Sequence, residues 1–367
     1  MKILVLDSVY RQSKTKSIDQ GKAKFPSWNQ GPEIKTGEPL GNGPELSLAF
    51  REIGLESLSL TLNNPIFEPK GIRSRLLDRG ELIARLPIID RPLFDFTGIS
   101  RWVSDAISAL RPDVVYCLNL NFLPVETAIF IRNQGIFLAG QIASPLPPFK
   151  YLSNYHHVFS AVPGIVSTLK ARSISSSYLP LGFNPHFQGL SRDWDKRQIS
   201  TIYIGSLGRH HKHSYPLLRA AAEADPGLRI YAPNKSSKLK KWGLEKHYAG
   251  KAFGVEMYKL LGNSKLCLNR HAGFAKGLSA NLRMYESTGM GAALLTEKTD
   301  NLYSLFAQGE VLEYENVEDL SNVVRWSLEN DEKLHSIGQA GQKRTLRDHL
   351  VRSRASEVVS TITNLIQ

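Results

Sequence analysis

"NLRMYESTGMGAALLT", residues Asn281 to Thr296, reads as a short helix running into a buried strand. Arg283 and Glu286 stand at i and i+3, so they project to neighbouring positions on one helix face. Gly289 and Gly291 close that helix, and "GAALLT" is as apolar as a strand covered on both sides. Just upstream lie the apolar run "SKLCLNR" (264–270) and a loop of small residues, "HAGFAKGLSA" (271–280). Strand, loop, helix and strand make one crossover of a parallel sheet. A glycine-bearing loop ahead of a helix start is also how a phosphate is cradled, with Ser279 or Asn281 placed to cap the helix. The plain alternative is a surface ion pair between Arg283 and Glu286, contributing about 0.2–0.5 kcal/mol. The functional reading gives Arg283 a diphosphate and Glu286 a pair of ribose hydroxyls, since one carboxylate accepts two hydrogen bonds.

Outward from this stretch the same alternation recurs. Strand-like runs "KILVLDS", "SLSLTL", "DVVYCLNL", "IFLAGQIA" and "HHVFSAV" alternate with amphipathic segments such as "GPELSLAFREIGLE" and "ISRWVSDAISALRP". After the polar, turn-rich "FNPHFQGLSRDWDKRQ" the pattern restarts at "STIYIGS" and continues through "LRIYAP", "SKLCLNR" and "GEVLEY". The expectation is an α/β chain of two doubly wound, Rossmann-like domains facing a cleft. The domains run over 1–184 and 198–345, and residues 346–367 form a helical tail. At 367 residues two cores are the default. No run of about 18 apolar residues spans a bilayer, and "MKILVLDSVY" lacks a cleavage-site pattern, which together read as a cytoplasmic protein. Cys117 and Cys267 sit inside apolar strands and read as buried free thiols; the ten histidines lack metal-ligand spacing.

The net charge of +12 favours a polyanionic partner, either nucleic acid, an anionic membrane surface or a phosphate-bearing substrate. The basic residues are scattered, with no recognition helix, zinc finger or aromatic RNA-binding strand, so no nucleic-acid partner is expected. In doubly wound sheets ligands bind beyond the carboxyl ends of the strands. That rule selects "GNGPE", "IASPLPP", "GSLGRHHKH" and "NRHAGFAKGLSANLR". Gly205, Ser206 and Gly208 followed by Arg209 and Lys212 suit an anion, through close backbone approach and counter-charge, although a solvated basic turn has the same composition. Arg270, His271 and Gly273 fall at a strand's carboxyl end. Gly41 and Gly43 read as a phosphate or acceptor loop, or equally as a simple turn into a helix.

The stretch from Asn281, followed by "EVLEYENVEDL" and "AGQKRTLRDHLVRSRA", resembles the C-terminal domain of GT-B glycosyltransferases of group 1, and within them the CgeB-like branch. There the pattern is roughly N-x-R-x-[FY]-E, four residues, a small apolar strand and a closing H-x-x-x-x-R helix. Asn281, Arg283, Tyr285, Glu286, Gly289, His349 and Arg354 match it. "YIGSLGRHHKH" is similar to the segment opening the second domain, where Arg209 and Lys212 match basic residues on the donor diphosphate. "YLPLGFNPHF" resembles the interdomain crossover. The resemblance is specific over about 155–360 and architectural before that. It implies transfer of a sugar from a nucleotide-sugar donor, held by the second domain, to a glycan, lipid-linked or protein acceptor, with no cofactor and no required metal. It implies likewise that the helical tail, 346–367, packs back on the first domain. It also departs from the pattern, because the E-x7-E pair of related transferases would put a glutamate where Leu278 stands.

Neutralising the leaving diphosphate calls for fixed cations, and an inverting enzyme also needs a general base at the acceptor hydroxyl. Asp7, Glu45, His156 and His157 are the candidates for the base; each has a plain alternative, as a cap, a first-turn charge or loop residues. "KGIRSRLLDRGELIARLPIIDRP" (70–92) is basic and amphipathic, fit either for a peripheral contact at the inner membrane face or for a core-facing helix with a solvated side. Two other functions fit the same residues: a non-hydrolysing nucleotide-sugar epimerase and a basic nucleic-acid-binding protein.

Overall fold

The computed structural model describes residues 1–7, 28, 42–62, 99–118, 120, 123–207, 213–233, 238–271, 273–275 and 277–367. Gly41, Arg209, Lys212 and the basic segment 70–92 lie outside the described residues. The chain divides into two compact units, Met1–Leu179 with Ala355–Gln367, and Pro180–Arg354.

The first unit is built on a six-stranded parallel sheet in the order β2-β1-β3-β4-β5-β6. Its strands are β1 (Lys2–Asp7), β2 (Glu56–Thr61), β3 (Val114–Cys117), β4 (Phe137–Ile142), β5 (His157–Ser160) and β6 (Ser176–Tyr178). Central strands bury side chains on both faces, which is why β1 and β3 read as unbroken apolar runs. Helices α1 (Asn42–Glu52), α2 (Ile99–Leu110), α3 (Val125–Asn133) and α4 (Pro163–Lys170) alternate with the strands. Pro163 sits in the first turn of α4, where its missing N–H costs nothing.

The second unit holds β7 (Ile199–Ile204), β8 (Arg229–Tyr231), β9 (Tyr248–Gly250), β10 (Ser264–Leu268), β11 (Ala293–Glu297) and β12 (Leu312–Tyr314). All pair in parallel, in the order β12-β11-β10-β7-β8-β9. The order reverses between β7 and β10, so the carboxyl ends of these two strands form the switch point at which such sheets take ligands. Its helices are α5 (Ser214–Ala224), α6 (Gly254–Gly262), α7 (Arg283–Gly289), α8 (Val317–Glu329) and α9 (Asp331–Asp348). The last helix, α10 (Val351–Ile366), begins in this unit, and its residues from Ala355 onward group with the first.

Two expectations differ from the structure. The segment 183–198, read as a polar boundary, is packed onto the second unit. Phe187 stacks on Tyr258 at 3.8 Å, and Trp194 is buried with its Nε1 donating to Asp331. Arg197 donates to the carbonyls of Arg192, Ser264, Met290 and Gly291. The helix expected over 346–367 instead starts at Val351, after a break at His349 and Leu350 that ends α9. There Phe183 takes over the backbone pairing: its N–H donates to the His349 carbonyl and its own carbonyl accepts from Val351. Gly182 and Gly289 permit this close approach, since a Cβ on Gly182 would lie 2.8 Å from the Val351 nitrogen and one on Gly289 would lie 2.4 Å from the Phe183 ring.

Candidate functional site

At the switch point, β7 ends at Ile204 and β10 at Leu268, with Leu268 in register beside Tyr203. Helix α7 brings Arg283 to this edge, where its Nε donates to the Ile204 carbonyl at 3.2 Å. Its Nη1 stands 2.7 Å from Glu286 Oε2, and the pair is 15% and 7% exposed, so it is a buried ion pair rather than the surface one allowed from sequence. Burial raises the Glu286 pKa, against the opposing pull of Arg283 and a hydrogen bond from Tyr258. A buried pair of this kind contributes less net stability than its Coulomb attraction suggests, because both charges have lost water.

The residues after β10 turn into a polar network. Asn281 Nδ2 donates to Asn269 Oδ1 at 2.7 Å and to the Arg270 carbonyl at 3.2 Å, and Asn269 Nδ2 donates to Thr296 at 2.9 Å. His271 Nε2 lies 3.1 Å from both Ser279 Oγ and Thr296 Oγ1. Its backbone N–H donates to Glu297 Oε2 at 2.8 Å, while Oε1 of the same carboxylate is 3.3 Å from Arg270 Nε. Burial and the adjacent Arg270 lower the His271 pKa to about 4, so the ring is neutral at pH 7. Neither Ser279 nor Asn281 caps α7: Leu282 holds the N-cap position and no side chain caps it. Both are consumed by the network, which ties the loop to the strand ends instead.

Two buried acceptors here, His271 Nδ1 and Asn281 Oδ1, have no hydrogen-bond partner, and beside them Arg270 Nε and Arg283 Nη1 have only their ion-pair contacts with Glu297 and Glu286. Leaving a buried polar group unpaired costs about 1–3 kcal/mol each, and such sites are where an absent ligand is expected. A void of about 10 Å³ lies beside Tyr203, Asn269, Arg270 and Tyr314. The larger cavity of this unit, about 250 Å³, is at the opposite, amino edge. Its charges are already spent, Arg197 on carbonyls and Lys265 on Asp331 at 2.7 Å. We therefore place the functional edge at the unpaired atoms rather than at the larger space.

Other expected residues do not join this group. Gly205 reaches the edge, but its N–H donates to the Tyr231 carbonyl; Ser206 offers its carbonyl to the Tyr203 hydroxyl. Gly273 is exposed in a short turn, where an added Cβ would meet nothing within 4 Å. In the first unit Asp7 accepts from the Gly43 N–H at 2.7 Å, and a Cβ on Gly43 would lie 2.6 Å from Asp7 Cβ. That glycine is thus fitted to its own strand, and its N–H is used. Glu45 lies half-buried in the first turn of α1. His156 and His157 stand at the amino ends of β4 and β5, the edge opposite Asp7, which removes them from the expected place for a base. His156 Nδ1 accepts from the Leu138 N–H, and both His157 nitrogens are engaged, by Ser175 and Ser177 at 2.8 Å.

Glu297, Thr299 and Asn301 were missed from the sequence. Their signal was available, because "TEKTDN" (296–301) spans the end of β11 and so falls at the same carboxyl edge. His349 and Arg354, matched by motif, serve the chain crossing. His349 Nε2 bonds to the Leu305 carbonyl at 2.7 Å, and Arg354 donates to the carbonyls of Leu181 and Asp348.

Residues 209–360 match the family described as Glycosyl transferase-like. Nothing among curated proteins matches the sequence significantly. Among solved structures, sucrose-phosphate synthase from Thermosynechococcus elongatus is 13% identical with a TM-score of 0.61, covering 100% of this chain and 99% of that one. Anabaena Alr3699/HepE in complex with UDP-glucose is 13% identical with a TM-score of 0.64, covering 99% and 100%. A glycosyltransferase from Rickettsia africae ESF-5 is 9% identical with a TM-score of 0.63, covering 100% and 98%. At such identities the structures speak for the fold, over the full length of the chain, and the sequence match speaks for the second unit. The chain has the GT-B fold of these glycosyltransferase structures over its full length, and residues 209–360 match the glycosyl transferase-like family.

Proposed function

We propose that the carboxyl edge of the second sheet binds a nucleoside-diphosphate sugar and that the enzyme transfers this sugar to an acceptor hydroxyl. The observation that carries the reading is the pairing, beside the switch point, of two buried ion-paired arginines with two buried acceptors that have no partner. Arg270 and Arg283 offer cations to the diphosphate, and Glu286 offers its carboxylate to the ribose. The complex of Alr3699/HepE with UDP-glucose supports the choice of donor class. In the reaction the acceptor oxygen bonds to the anomeric carbon, and the bond from that carbon to the diphosphate oxygen breaks. The electron pair leaves on the nucleoside diphosphate, and the two arginines stabilise the charge that grows there, a role for which fixed cations need no metal. For the base our candidate is Glu45, half-buried in the first turn of α1; His156 stands at the far edge of its sheet. Glu45→Gln is expected to leave UDP binding intact and to stop transfer. The acceptor is a glycan, a lipid-linked molecule or a protein.

A thermal-shift screen against UDP, GDP, dTDP, ADP and CMP tests the donor. A ligand at one hundred times its Kd adds about 2.7 kcal/mol of apparent stability. Glu286→Ala should weaken the nucleotide that binds best. Equal affinity in wild type and variant for every nucleotide sugar would refute the ribose assignment.

A further inference from the structure

We propose that His271 Nδ1 and Asn281 Oδ1 form a pair of uncharged acceptors that select hydroxyl groups of the donor's transferred sugar. The inference rests on the donor reading above and specifies the chemistry at one half of that site.

The protons decide it. Asn301 is oriented by two backbone contacts: its Oδ1 accepts from the Ser279 N–H at 2.7 Å and its Nδ2 donates to the Ser279 carbonyl at 3.0 Å. Thr299 Oγ1 donates to that same Oδ1 at 3.3 Å. With the Thr299 proton so placed, the 2.7 Å contact between Ser279 and Thr299 takes its proton from Ser279. The Ser279 oxygen then has only lone pairs for His271, so the ring proton lies on Nε2, shared between Ser279 and Thr296. Nδ1 is left as a bare lone pair in a residue 4% exposed, without a partner. Its low proton affinity agrees, since the ring remains neutral at pH 7.

Asn281 has the same polarity. Both of its amide contacts are to acceptors, Asn269 Oδ1 and the Arg270 carbonyl, which fixes Nδ2 toward them and leaves Oδ1 as an unpaired acceptor. The edge thus has two halves, cations on Arg270 and Arg283, each ion-paired to one carboxylate, and unpaired neutral acceptors on His271 and Asn281. Lone pairs repel phosphate oxygens and accept from hydroxyls, so one ligand satisfying all four carries an anionic part and a hydroxyl-bearing part. A sugar diphosphate has both. Leu278, in the same loop, offers no acceptor of its own.

The test uses calorimetry on the full chain with UDP, UDP-glucose and the monodeoxy analogues of UDP-glucose. In wild type, at least one deoxy analogue should bind about ten- to a hundredfold more weakly than UDP-glucose, because it leaves a buried acceptor unpaired. His271→Phe should abolish that discrimination and bind UDP within about threefold of wild type. Thr299→Val keeps the imidazole but removes the proton relay, so it should also blunt the discrimination; this guards against misfolding of the first variant. Equal binding of every deoxy analogue to wild type overturns the proposal, as does an equal loss of UDP and UDP-glucose in the folded variants. Failure of wild type to bind any nucleoside diphosphate or its sugar overturns the donor reading itself, and shows before any variant is made.

Discussion

The two sheets end alike and differ in what their polar groups do. At the carboxyl end of β1, Asp7 is buried and gives an oxygen to the first turn of its own next helix. Among the described residues of that unit, buried hydroxyls without a hydrogen bond, such as those of Ser59, Ser100 and Thr127, are scattered over different elements. At the carboxyl edge of the second sheet, the two unpaired acceptors of His271 and Asn281 sit beside the ion-paired Arg270 and Arg283, on residues linked to one another and to the β7 end. Two of the buried histidines repeat the contrast. His157 and His271 are each held near a pKa of about 4 by burial, yet His157 has both nitrogens engaged and His271 has one bare. Burial and a shifted pKa are therefore poor markers of function on their own. An unspent polar atom is the better one.

The contrast breaks most visibly at Arg283. Arg283→Ala leaves Glu286 buried with Tyr258 as its remaining partner, and we expect a loss of about 3 kcal/mol in urea unfolding. UDP should no longer raise the melting temperature. Retained UDP binding in this variant would move the diphosphate elsewhere.

Acid comes next. Both histidines have folded pKa values below the model-compound 6.5, so between about 6.5 and about 4 the unfolded chain binds protons that the folded chain refuses. Stability should fall as pH drops through that window and be level above it, by up to about 3 kcal/mol per ring at the lower end. Urea unfolding at pH 7 and pH 5 measures a sum to which the lowered pKa values of His156 and His349 also add, and the slope lost in His157→Phe and in His271→Phe measures each ring's own share. No change between pH 7 and 5 would mean that neither ring is held neutral.

The sequence was most legible where local pattern and tertiary environment agree. Strands such as β1 and β3 announce themselves because both faces are covered, and the crossover from β10 through α7 to β11 shows both its glycines and its apolar strands. It failed where distant chain decides. Strand β9 is three residues with Gly250 at a φ of 117°, too short and irregular to signal itself. The segment holding Trp194 and Arg197 looks like a linker because its partners, Asp331 and three carbonyls between Ser264 and Gly291, are far away in sequence. At the site, residue types and edge were readable from the switch-point rule and the motif. The identity of each hydrogen-bond partner was not, so Ser279 and Asn281 were expected as caps and Glu297 went unnoticed.

A milder test of the closed edge is Asp7→Ala. It strands the buried Gly43 N–H and should cost about 1–3 kcal/mol while leaving UDP affinity unchanged. A large loss of UDP binding would show that the first sheet's edge is not closed after all.

The finest distinction lies in Glu297, which joins the two halves of the open edge. One oxygen accepts from the His271 N–H and the other neutralises Arg270. Glu297→Gln keeps an acceptor for His271 and removes the charge, so two effects compete. Arg270 gains net positive potential toward a diphosphate, and it loses the partner that aims it. Its side chain is only 14% exposed, so it has little room to find the ligand by another rotamer, and we expect aim to win. UDP should bind about tenfold more weakly, equivalent to about 1.4 kcal/mol, with stability changed by less. Tighter UDP binding would show instead that the carboxylate competes with the diphosphate for Arg270, and that the arginine is held back until the ligand displaces it.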